Sequence, residues 1–383
     1  MDDGTSAEPE RGQSRWPRYD AAKLGFRHYW YPVLESRKLG NKPRAITLAG
    51  EKIVLVRDKG KAFGLADRCP HRGVPLSAGR REFAGTLTCR YHGWTFDLAS
   101  GELLAALTDG PDSPICGLAD VRAKTYPVEE RAGLIWVYIG DAPAPPVEVD
   151  IPEGLLHADA VVEPMVELRK GDWRHAMENA VDEAHAKYLH RYTLFYFFRK
   201  FPGYQTDTRM IPSEDGLWLS RTSKPVFETV NFPRVGAWPK QDFWRFGGGP
   251  PKKAGQASGA VIVGGARLPA IFSVGHEDWH DYQMFVPCDD NHHLNLQVSF
   301  RRTRGLGRLL WRLRYWTYIR YIHHIVLNRW EDGFIVNAMS APPEVLFRPD
   351  IAITTWRRWC EDKARRSPAD AVAARAQQTA GAD

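Results

Sequence analysis

The sequence predicts a protein of the α+β class, in which a small all-β domain precedes a larger domain that combines helices with an antiparallel sheet. From Tyr29 to Gly140, short runs rich in β-branched residues are separated by turn-forming glycines, as in a set of short strands. Residues 172–190 and about 306–339 instead repeat their apolar side chains at helical spacing. Alternating segments typical of antiparallel strands lie near 208–231, 260–274, 280–288 and 293–302.

Length and composition place the chain among globular proteins with room for two domains. Its 383 residues exceed the usual ~100–200 residues of a single domain. A composition of 43% hydrophobic and 12% aromatic residues supports a large core. The net charge of +6 fits either an arginine-rich solvated surface or a docking face for an acidic protein partner. No run of Lys and Arg is long enough to follow a phosphate backbone, so nucleic-acid binding is not expected.

Composition also sets the expected domain boundaries. Both ends of the chain are expected to be disordered, and a Pro-rich stretch is expected to link the two domains. The resulting segments are a disordered tail 1–16, an all-β domain 17–140, a linker 141–154, a second domain 155–363 and a flexible tail 364–383. A Gly-rich segment, 246–259, is expected to be a long loop within the second domain.

Cysteine usage and the polar start of the chain predict a cytoplasmic protein with free thiols. Five cysteines are an odd number at irregular spacing, and no apolar leader precedes them. No uncharged run of ~18 apolar residues is present to span a membrane. The nearest candidate, 307–327, is interrupted by Arg308, Arg312, Arg314 and Arg320. It is expected either to pack on its own domain or to lie as a basic amphipathic helix in a membrane interface.

Two pairs of Cys and His, 17 residues apart, indicate a metal centre in the all-β domain. Cys69 and His71 form C-x-H, whereas Cys89 and His92 form C-x-x-H, each in a loop that contains glycine. Structural zinc fingers group like ligands together, so zinc is the weaker alternative for these mixed pairs. A [2Fe–2S] centre with two Cys on one iron and two His on the other suits them better.

The sequences "CPHRG" and "CRYHGWTF" resemble the two cluster-binding loops of Rieske proteins nearly residue for residue. The resemblance implies that Cys69 and Cys89 bind one iron of a Rieske [2Fe–2S] cluster. It implies in the same way that His71 and His92 bind the other iron. The neighbouring residues expected to shape the loops or shield the cluster are Gly73, Tyr91, Gly93 and Trp94.

A second candidate metal centre lies in "MENAVDEAHAKYLH", residues 177–190. His185 and His190 are about 140° apart around a regular helix, so they converge only if the helix ends or distorts between them. Asp182 precedes His185 on the same face, where its carboxylate can orient the imidazole. By themselves, two histidines at this spacing are more often incidental than metal ligands.

Downstream of Rieske-like loops, this segment resembles the N-x-x-D-x-x-H-x4-H motif of Rieske non-haem iron oxygenases, on Asn179, Asp182, His185 and His190. The resemblance extends over roughly residues 25–360 as an ordered pair of domains. It implies a mononuclear Fe(II) held by two His and one carboxylate. Asp332, in "NRWEDGFIVNAMSAPP", is the best match for the carboxylate ligand. The other acids considered are Glu331, Asp278, Asp281, Asp289 and Asp290.

The resemblance implies the alpha (terminal oxygenase) component of a ring-hydroxylating system, with a helix-grip (START-like) second domain. A separate ferredoxin or flavin reductase would supply electrons, since the chain has no NAD or flavin fingerprint. The family is further expected to form a head-to-tail homotrimer, in which the cluster of one chain serves the iron of the next. Asp182 is then expected to act in catalysis by bridging His92 of one chain to His185 of its neighbour.

The substrate is the least specified part of the prediction. The segment "YTLFYFFRKFPGY", 192–204, follows His190 and belongs either to the core or to the pocket mouth. A small apolar compound, aromatic or polycyclic, is expected to react with O₂ by hydroxylation or oxidative demethylation. The alternatives are a Rieske electron carrier with a non-catalytic ligand-binding second domain, and a binding module. Histidines without a surrounding motif are expected to be packing or surface residues: His175, His292, His293, His323 and His324.

Overall fold

A computed structural model describes residues 14–190, 204–226, 230–238, 261–276, 278–340 and 344–371. Two features expected from the sequence lie outside the described residues, namely the aromatic segment up to position 203 and the Gly-rich segment 246–259. Across the described residues, the chain has the predicted order of elements, with short strands first and a large sheet with helices second.

The N-terminal part consists of one short helix and ten short strands. Their bounds are α1 Pro17–Ala21, β1 Tyr29–Glu35, β2 Arg44–Leu48, β3 Glu51–Asp58, β4 Lys61–Ala66, β5 Thr86–Thr88, β6 Trp94–Asp97, β7 Leu103–Ala106, β8 Thr125–Tyr126, β9 Val128–Arg131 and β10 Leu134–Ile139. The strands pair antiparallel in three sheets of order β1-β10-β9, β2-β3-β4-β8 and β5-β6-β7. Short 3₁₀ helices follow at Ser36–Lys38 and Leu76–Ala78. Gly50 and Gly60 turn the chain between β2, β3 and β4 at φ of 78° and 83°, which glycine adopts without strain.

The C-terminal part is a seven-stranded antiparallel sheet with helices, of order β11-β19-β18-β17-β16-β13-β12. Its strands are β11 Ala160–Lys170, β12 Tyr204–Pro212, β13 Trp218–Val226, β16 Val261–Arg267, β17 Ile271–Gly275, β18 His280–Asp289 and β19 His292–Arg302. A separate hairpin pairs β14 Val230–Phe232 with β15 Gly236–Trp238. The helices are α2 Trp173–Val181, α3 Ala184–Leu189, α4 Leu306–Arg314, a π-helix Tyr315–Asp332, α5 Gly333–Ala338 and α6 Ile351–Lys363. Further 3₁₀ turns lie at Val147–Val149, Glu153–Leu156 and Arg348–Asp350.

The two central strands of the large sheet carry different chemistry on their two faces. Met284 pairs with Leu296 in the register of β18 and β19, and both side chains lie in the main apolar core. The alternate positions point to the opposite face of a pleated strand. There Gln283 faces Gln297, and Asp281 faces Ser299, all of them buried. This polar face lies under the helix that ends at Asp332, and it therefore borders the candidate iron site.

The segment 307–327 packs on its own domain, which is one of the two arrangements expected from the sequence. Trp311, Tyr315 and Ile319 recur every four residues and form a buried cluster with Val161 of β11. The indole of Trp311 also donates a hydrogen bond of 2.9 Å to the Val161 carbonyl. Among the described residues, no helix is both long and apolar enough to cross a bilayer. What the sequence did not indicate is the π-helical winding of Tyr315–Asp332.

One apolar core runs through both parts of the chain. It contains Leu55 and Trp136 from the N-terminal sheets as well as Met284 from the large sheet. The Pro-rich stretch 141–154 contributes buried side chains at Val147, Val149 and Ile151. The two parts are therefore packed against each other through this stretch, in addition to being joined by it.

The C-terminal end of the described chain also contacts the N-terminal part. Arg365 forms an ion pair of 2.8 Å with Asp150, a carboxylate that is only 1% exposed. Its guanidinium lies 4.2 Å from the ring centre of Tyr29. The described residues of the segment 364–383 thus contribute contacts to the fold.

Arg357 of α6 fixes helix α2, which leads directly to the candidate iron ligands. Its guanidinium donates to both carboxylate oxygens of the buried Glu178, at 2.7 and 3.0 Å. Glu344 contacts the same guanidinium at 3.1 Å. The hydroxyl of Tyr19 donates to Glu178 at 2.8 Å. Burial lowers the pKa that an isolated guanidinium would have, but the hydrogen bonds to Glu344 and Glu178 raise the pKa of Arg357 above its usual range.

We expect Arg357→Ala to destabilise the protein by about 3–5 kcal/mol, because it leaves the buried Glu178 carboxylate without its cation. The matched control is Arg358→Ala, which removes an exposed arginine from the next position of the same helix and should change stability by less than about 0.5 kcal/mol. Thermal unfolding followed by circular dichroism measures both. Equal melting temperatures for the two variants would contradict the role given to Arg357.

Candidate metal centres

The two Cys–His loops of the N-terminal part have the same backbone construction. The backbone carbonyl of Cys69 accepts a hydrogen bond from the N–H of Gly73, and the backbone carbonyl of Cys89 accepts one from the N–H of Gly93. Both glycines have positive φ, 75° and 66°, which a residue with a Cβ adopts at a cost. The loops are thus two similar tight turns that present their side chains toward each other.

The four predicted cluster ligands converge where these loops meet. Cys69 and Cys89 are buried, at 2% and 3% exposure. His71 and His92 lie nearer the surface, and their Nδ1 atoms are 3.0 Å apart. Aromatic rings support both imidazoles, with Trp94 stacked on His71 at 4.8 Å and Tyr91 stacked on His92 at 3.7 Å.

This donor set fits a [2Fe–2S] cluster of the mixed Cys–His type. Burial raises the pKa of the Cys69 thiol to about 11, so a bound cation is needed to hold it as a thiolate at neutral pH. The facing Nδ1 atoms of His71 and His92 can share only one proton between two neutral rings, whereas metal coordination would use both lone pairs. The imidazole side of the centre is the side nearer to solvent.

The predicted helix over 172–190 is in fact two helices, and the break between them positions the second candidate site. Helix α2 ends at Val181, and Asp182 has an extended conformation with φ −73° and ψ 113°. Helix α3 then ends at Leu189, so that His190 lies at its C-cap with ψ near 3°. The helix therefore ends between His185 and His190, which is the condition under which the sequence allows the two imidazoles to converge.

Asp332, at the end of the π-helix, completes a group of three donors with these histidines. One ligand atom from each of His185, His190 and Asp332 lies within 4.8 Å of the other two. Asp332 Oδ1 is 3.0 Å from His190 Nε2 and 3.4 Å from His185 Nε2. Asp332 Oδ1 is buried, yet it has no partner of good hydrogen-bond geometry among the described residues. Two imidazole nitrogens and a carboxylate oxygen facing one point fit a divalent iron.

The other acids considered from sequence lie elsewhere. Asp281 is beside His324 at 3.4 Å, and Asp289 is beside His292 at 2.9 Å. Asp278 forms ion pairs with arginines, and Asp290 is exposed at the β18–β19 turn. The structure thus brings Asp332, and none of these four, to the two histidines.

The electrostatics of the three donors favour a bound cation. Burial alone would raise the pKa of Asp332, but the neighbouring imidazoles of His185 and His190 hold it well below its usual range. Burial alone would lower the pKa of His185, whereas its contacts with Asp182 and Asp332 raise it to about 9. A positive charge between these groups is therefore stabilised, and a metal ion can supply it in place of the proton.

A carboxylate lies behind each histidine, on the ring nitrogen away from Asp332. Asp182 Oδ2 is 3.4 Å from His185 Nδ1, and the backbone N–H groups of Ala184 and His185 hold the Asp182 side chain at 2.7 and 3.2 Å. Glu331 Oε2 is 2.6 Å from His190 Nδ1. This role of Glu331 was not predicted from the sequence, where Glu331 was considered only as an alternative ligand. The signal was its position beside Asp332 in the Glu-Asp pair.

A small polar cavity of about 20 Å³ lies next to Asp332. It has room for about one water molecule and cannot accept an aromatic ring. Its polar lining includes Arg169, Asn179, Gln283, Asn295 and Asn328. Arg169 donates to the Asn328 carbonyl and side-chain oxygens at 3.1 and 2.7 Å, which ties β11 to the π-helix. These hydrogen bonds at the edge of the cavity help to fix the helix that carries Asp332.

Comparison with known proteins gives the same assignment for both parts of the chain. Residues 29–120 match the family described as Rieske [2Fe-2S] domain, and residues 138–206 match the family described as homotrimeric ring hydroxylase. The terminal oxygenase component of carbazole 1,9a-dioxygenase from Sphingomonas is 31% identical over 384 residues, covering 91% of this chain and 94% of that protein. The oxygenase subunit of 3-chlorobenzoate-3,4-dioxygenase from Comamonas testosteroni is 39% identical over 167 residues, covering 43% of this chain and 38% of that protein.

Solved structures agree over nearly the whole chain. The terminal oxygenase of carbazole 1,9a-dioxygenase from Novosphingobium sp. KA1 superimposes with a TM-score of 0.76 at 27% identity, covering 91% of this chain and 96% of that one. An oxygenase chain from the reduced complex between oxygenase and ferredoxin in carbazole 1,9a-dioxygenase also gives a TM-score of 0.76, at 26% identity, covering 91% of this chain and 92% of that one. The resemblance inferred from the motifs is thereby confirmed. The chain belongs to the Rieske non-haem iron oxygenases, whose members carry a [2Fe–2S] cluster and a mononuclear iron, and it is the terminal oxygenase component of such a system.

Proposed function

We propose that this terminal oxygenase hydroxylates or oxidatively demethylates an apolar compound, aromatic or polycyclic, at a mononuclear iron held by His185, His190 and Asp332. The observation that carries the proposal is the convergence of these three donors, from segments more than a hundred positions apart in sequence, on one point. An electron carrier with a non-catalytic second domain would have no use for that arrangement. Relatives named for carbazole and for 3-chlorobenzoate support an aromatic substrate.

The cluster site is assigned to Cys69, His71, Cys89 and His92. When bound, the cluster supplies one-electron storage, and the mononuclear iron supplies the binding and reduction of O₂. The buried cysteines would hold their side of the cluster away from water, since both lie in the apolar core of the N-terminal part. The histidines would face the surface, where an electron donor can approach.

The carboxylates behind the iron ligands have a positioning role. Asp182 Oδ2 faces Nδ1 of His185 at 3.4 Å, and Glu331 Oε2 lies 2.6 Å from Nδ1 of His190. Each imidazole then keeps its Nε2 lone pair directed toward the metal position. The backbone N–H groups of Ala184 and His185 fix the Asp182 carboxylate, so that its remaining acceptor capacity can serve a second imidazole.

A separate ferredoxin or flavin reductase is proposed as the electron donor. The cluster loops expose Arg68, Arg72 and Arg90 around His71, which gives this end of the molecule a positive rim. Such a rim attracts an acidic protein and orients it during encounter. The solved relative that is bound to a ferredoxin supports this choice of partner.

We propose a head-to-tail homotrimer in which His92 of one chain approaches Asp182 of the next. The family description of the matching region names a homotrimer. Large side chains are exposed near both metal sites, among them Tyr91, Tyr188 and Trp330, at 54%, 57% and 63%. Exposed apolar groups of this size are typical of surfaces that a partner covers.

The remaining assignments rest on composition and on the order of elements. We place the Rieske domain at 17–140 and the catalytic domain at 155–363, with 141–154 between them and 364–383 after them. We place the enzyme in the cytoplasm, because none of its five cysteines forms a disulfide, as expected in a reducing compartment.

We expect purified protein to be red-brown with a Rieske-type visible and electron paramagnetic resonance spectrum. Substituting His71→Cys should lower the reduction potential, because a thiolate adds negative charge to the cluster. A redox titration followed by electron paramagnetic resonance measures the change. A colourless protein with zinc in place of iron would overturn the cluster assignment.

We expect His185→Ala, His190→Ala and Asp332→Ala each to lose mononuclear iron and turnover while the Rieske spectrum stays intact. The iron ligands and the cluster loops are held by different elements, so removing one ligand leaves the other centre in place. His292→Ala is the matched control, since it removes a surface histidine that pairs with Asp289. Full activity in Asp332→Ala would show that the third ligand is misassigned.

Mixed oligomers test the proposed electron route between chains. A His92→Ala chain lacks a working cluster, and a His185→Ala chain lacks catalytic iron, so each is expected to be inactive alone. Co-assembled, they should regain part of the activity, because the cluster of one chain serves the iron of its neighbour. Verified mixed oligomers without activity would mean that electrons travel within one chain.

Asp182→Asn, which removes one acceptor at nearly constant size, should slow reoxidation of the reduced cluster by O₂ in the presence of substrate.

A further inference from the structure

A second group of two histidines and one aspartate lies inside the catalytic part, separate from the iron ligands. It consists of Asp281 on β18 and of His323 and His324 on the π-helix. One ligand atom of each lies within 4.8 Å of the other two. Asp281 and His324 are fully buried, and His323 is 5% exposed. The sequence had suggested only packing or surface roles for the two histidines.

Ser299 brings a fourth polar group into the same space. It faces Asp281 across the β18–β19 ladder. Its hydroxyl donates to Asp281 Oδ1 at 2.8 Å and lies 3.0 Å from His324 Nε2. The four side chains thus come from two strands and one helix, and they enclose a common point between the sheet and the helix.

The polar group is surrounded by aromatic and apolar side chains. Trp279, Tyr315 and Ile319 belong to the buried cluster on this side of the helix. The ring of Tyr315 lies 5.6 Å from that of His324, and the ring of Trp279 lies 5.5 Å from that of His323. These neighbours offer little solvation to a charge, so the charges inside the group must compensate one another.

Within the described residues, Asp281 and His324 each have one polar atom without a hydrogen bond. Asp281 Oδ2 and His324 Nδ1 are inaccessible to solvent and have no hydrogen-bond partner among the described residues. His324 is the ion-pair partner of Asp281 within the described chain, and no Lys or Arg of that part pairs with it. An uncompensated buried carboxylate costs several kcal/mol, on the order of 3–5. Burial opposes its charge, yet His324 and Ser299 hold the pKa of Asp281 below its usual range. The carboxylate therefore needs a positive charge beside it, which a protonated His324 or a bound cation supplies.

The spacing of the donors matches that of metal ligands. Asp281 Oδ1 and His324 Nε2 are 3.4 Å apart, which is longer than a good N–H···O hydrogen bond. Two ligands at about 2.0–2.1 Å from a tetrahedral zinc ion are about 3.3 Å apart. The iron ligands of this chain show the same range, with 3.4 and 3.0 Å between Asp332 and its two histidines.

From these observations we propose that Asp281, His323 and His324 bind a second divalent metal ion, with the Ser299 hydroxyl as the fourth ligand. Nitrogen and oxygen donors in a closed, buried site favour zinc over a redox metal with open positions. Such an ion neutralises the Asp281 carboxylate and joins β18 to the π-helix. That helix carries Asp332 two turns further on, so the ion acts as a structural anchor for the iron-binding helix.

Metal counting in the Asp332→Ala background tests the proposal without reference to activity. The protein is purified without chelator, equilibrated with zinc sulfate and desalted, and its metals are measured by mass spectrometry. The visible absorbance of the cluster gives the number of clusters, each with two irons. Beyond these irons, we expect two metal ions per chain in the wild type and one in Asp332→Ala. An Asp332→Ala protein with no metal beyond the cluster irons would overturn the proposal, even if no other variant folds.

The location of the ion is tested by a second substitution. Asp281→Asn in the Asp332→Ala background should lose the remaining metal ion. His323→Asn in the same background should lose it too, and this variant replaces Asp281→Asn as the test should that protein not fold. Asp289→Asn is the matched control, because it removes an exposed aspartate beside His292 on the same hairpin and should retain the ion. Retention of the metal ion in both Asp281→Asn and His323→Asn would place the metal elsewhere and exclude this site. The outcome is independent of whether His185, His190 and Asp332 support oxygenation.

Discussion

The structure depends on holding two imidazoles and one carboxylate in contact inside the protein, where none of them is well hydrated. Each donor alone would favour its neutral form, and together they are stable only around a positive charge. The three donors also come from distant parts of the chain, since His185 and His190 lie beside the α2–α3 break and Asp332 lies at the end of the π-helix. Much of the surrounding polar structure holds these segments at the positions where their three donor side chains meet.

Two sets of contacts perform this task. On one side, Arg357 and Tyr19 hold Glu178, which fixes α2 immediately before the break. On the other side, Arg169 fixes Asn328, one turn before Asp332. Asp182 and Glu331 then set the orientation of the individual rings. The geometry of the site therefore depends on buried ion pairs and hydrogen bonds as much as on apolar packing.

The parts of this arrangement that the sequence predicted are those written in short motifs. The Cys–His loops are local turns whose glycines and ligands are within five residues of one another, so the sequence nearly determines their shape. The α+β layout followed from periodicity. The end of α3 before His190 could be anticipated only as a condition for convergence, because residues 172–190 are helical in pattern throughout, and the break at Asp182 was not predicted. The contact of Glu331 with His190, the π-helical winding and the Asp281–His324 contact could not be predicted, since each depends on how distant segments pack.

The continuous core between the two parts of the chain has a consequence for how such enzymes diversify. Leu55 and Trp136 share one apolar cluster with Met284, and Arg365 reaches back to Asp150. Neither half presents a finished outer surface, so each would expose a large apolar area if it were produced separately. The apolar interface between the two halves is called the seam here. A chimaera that joins the electron-receiving half of one oxygenase to the substrate-binding half of another must therefore have complementary surfaces on both sides of this seam. Recombination within the family is then constrained by shape and volume along the seam, even where the metal ligands of the two parents are identical.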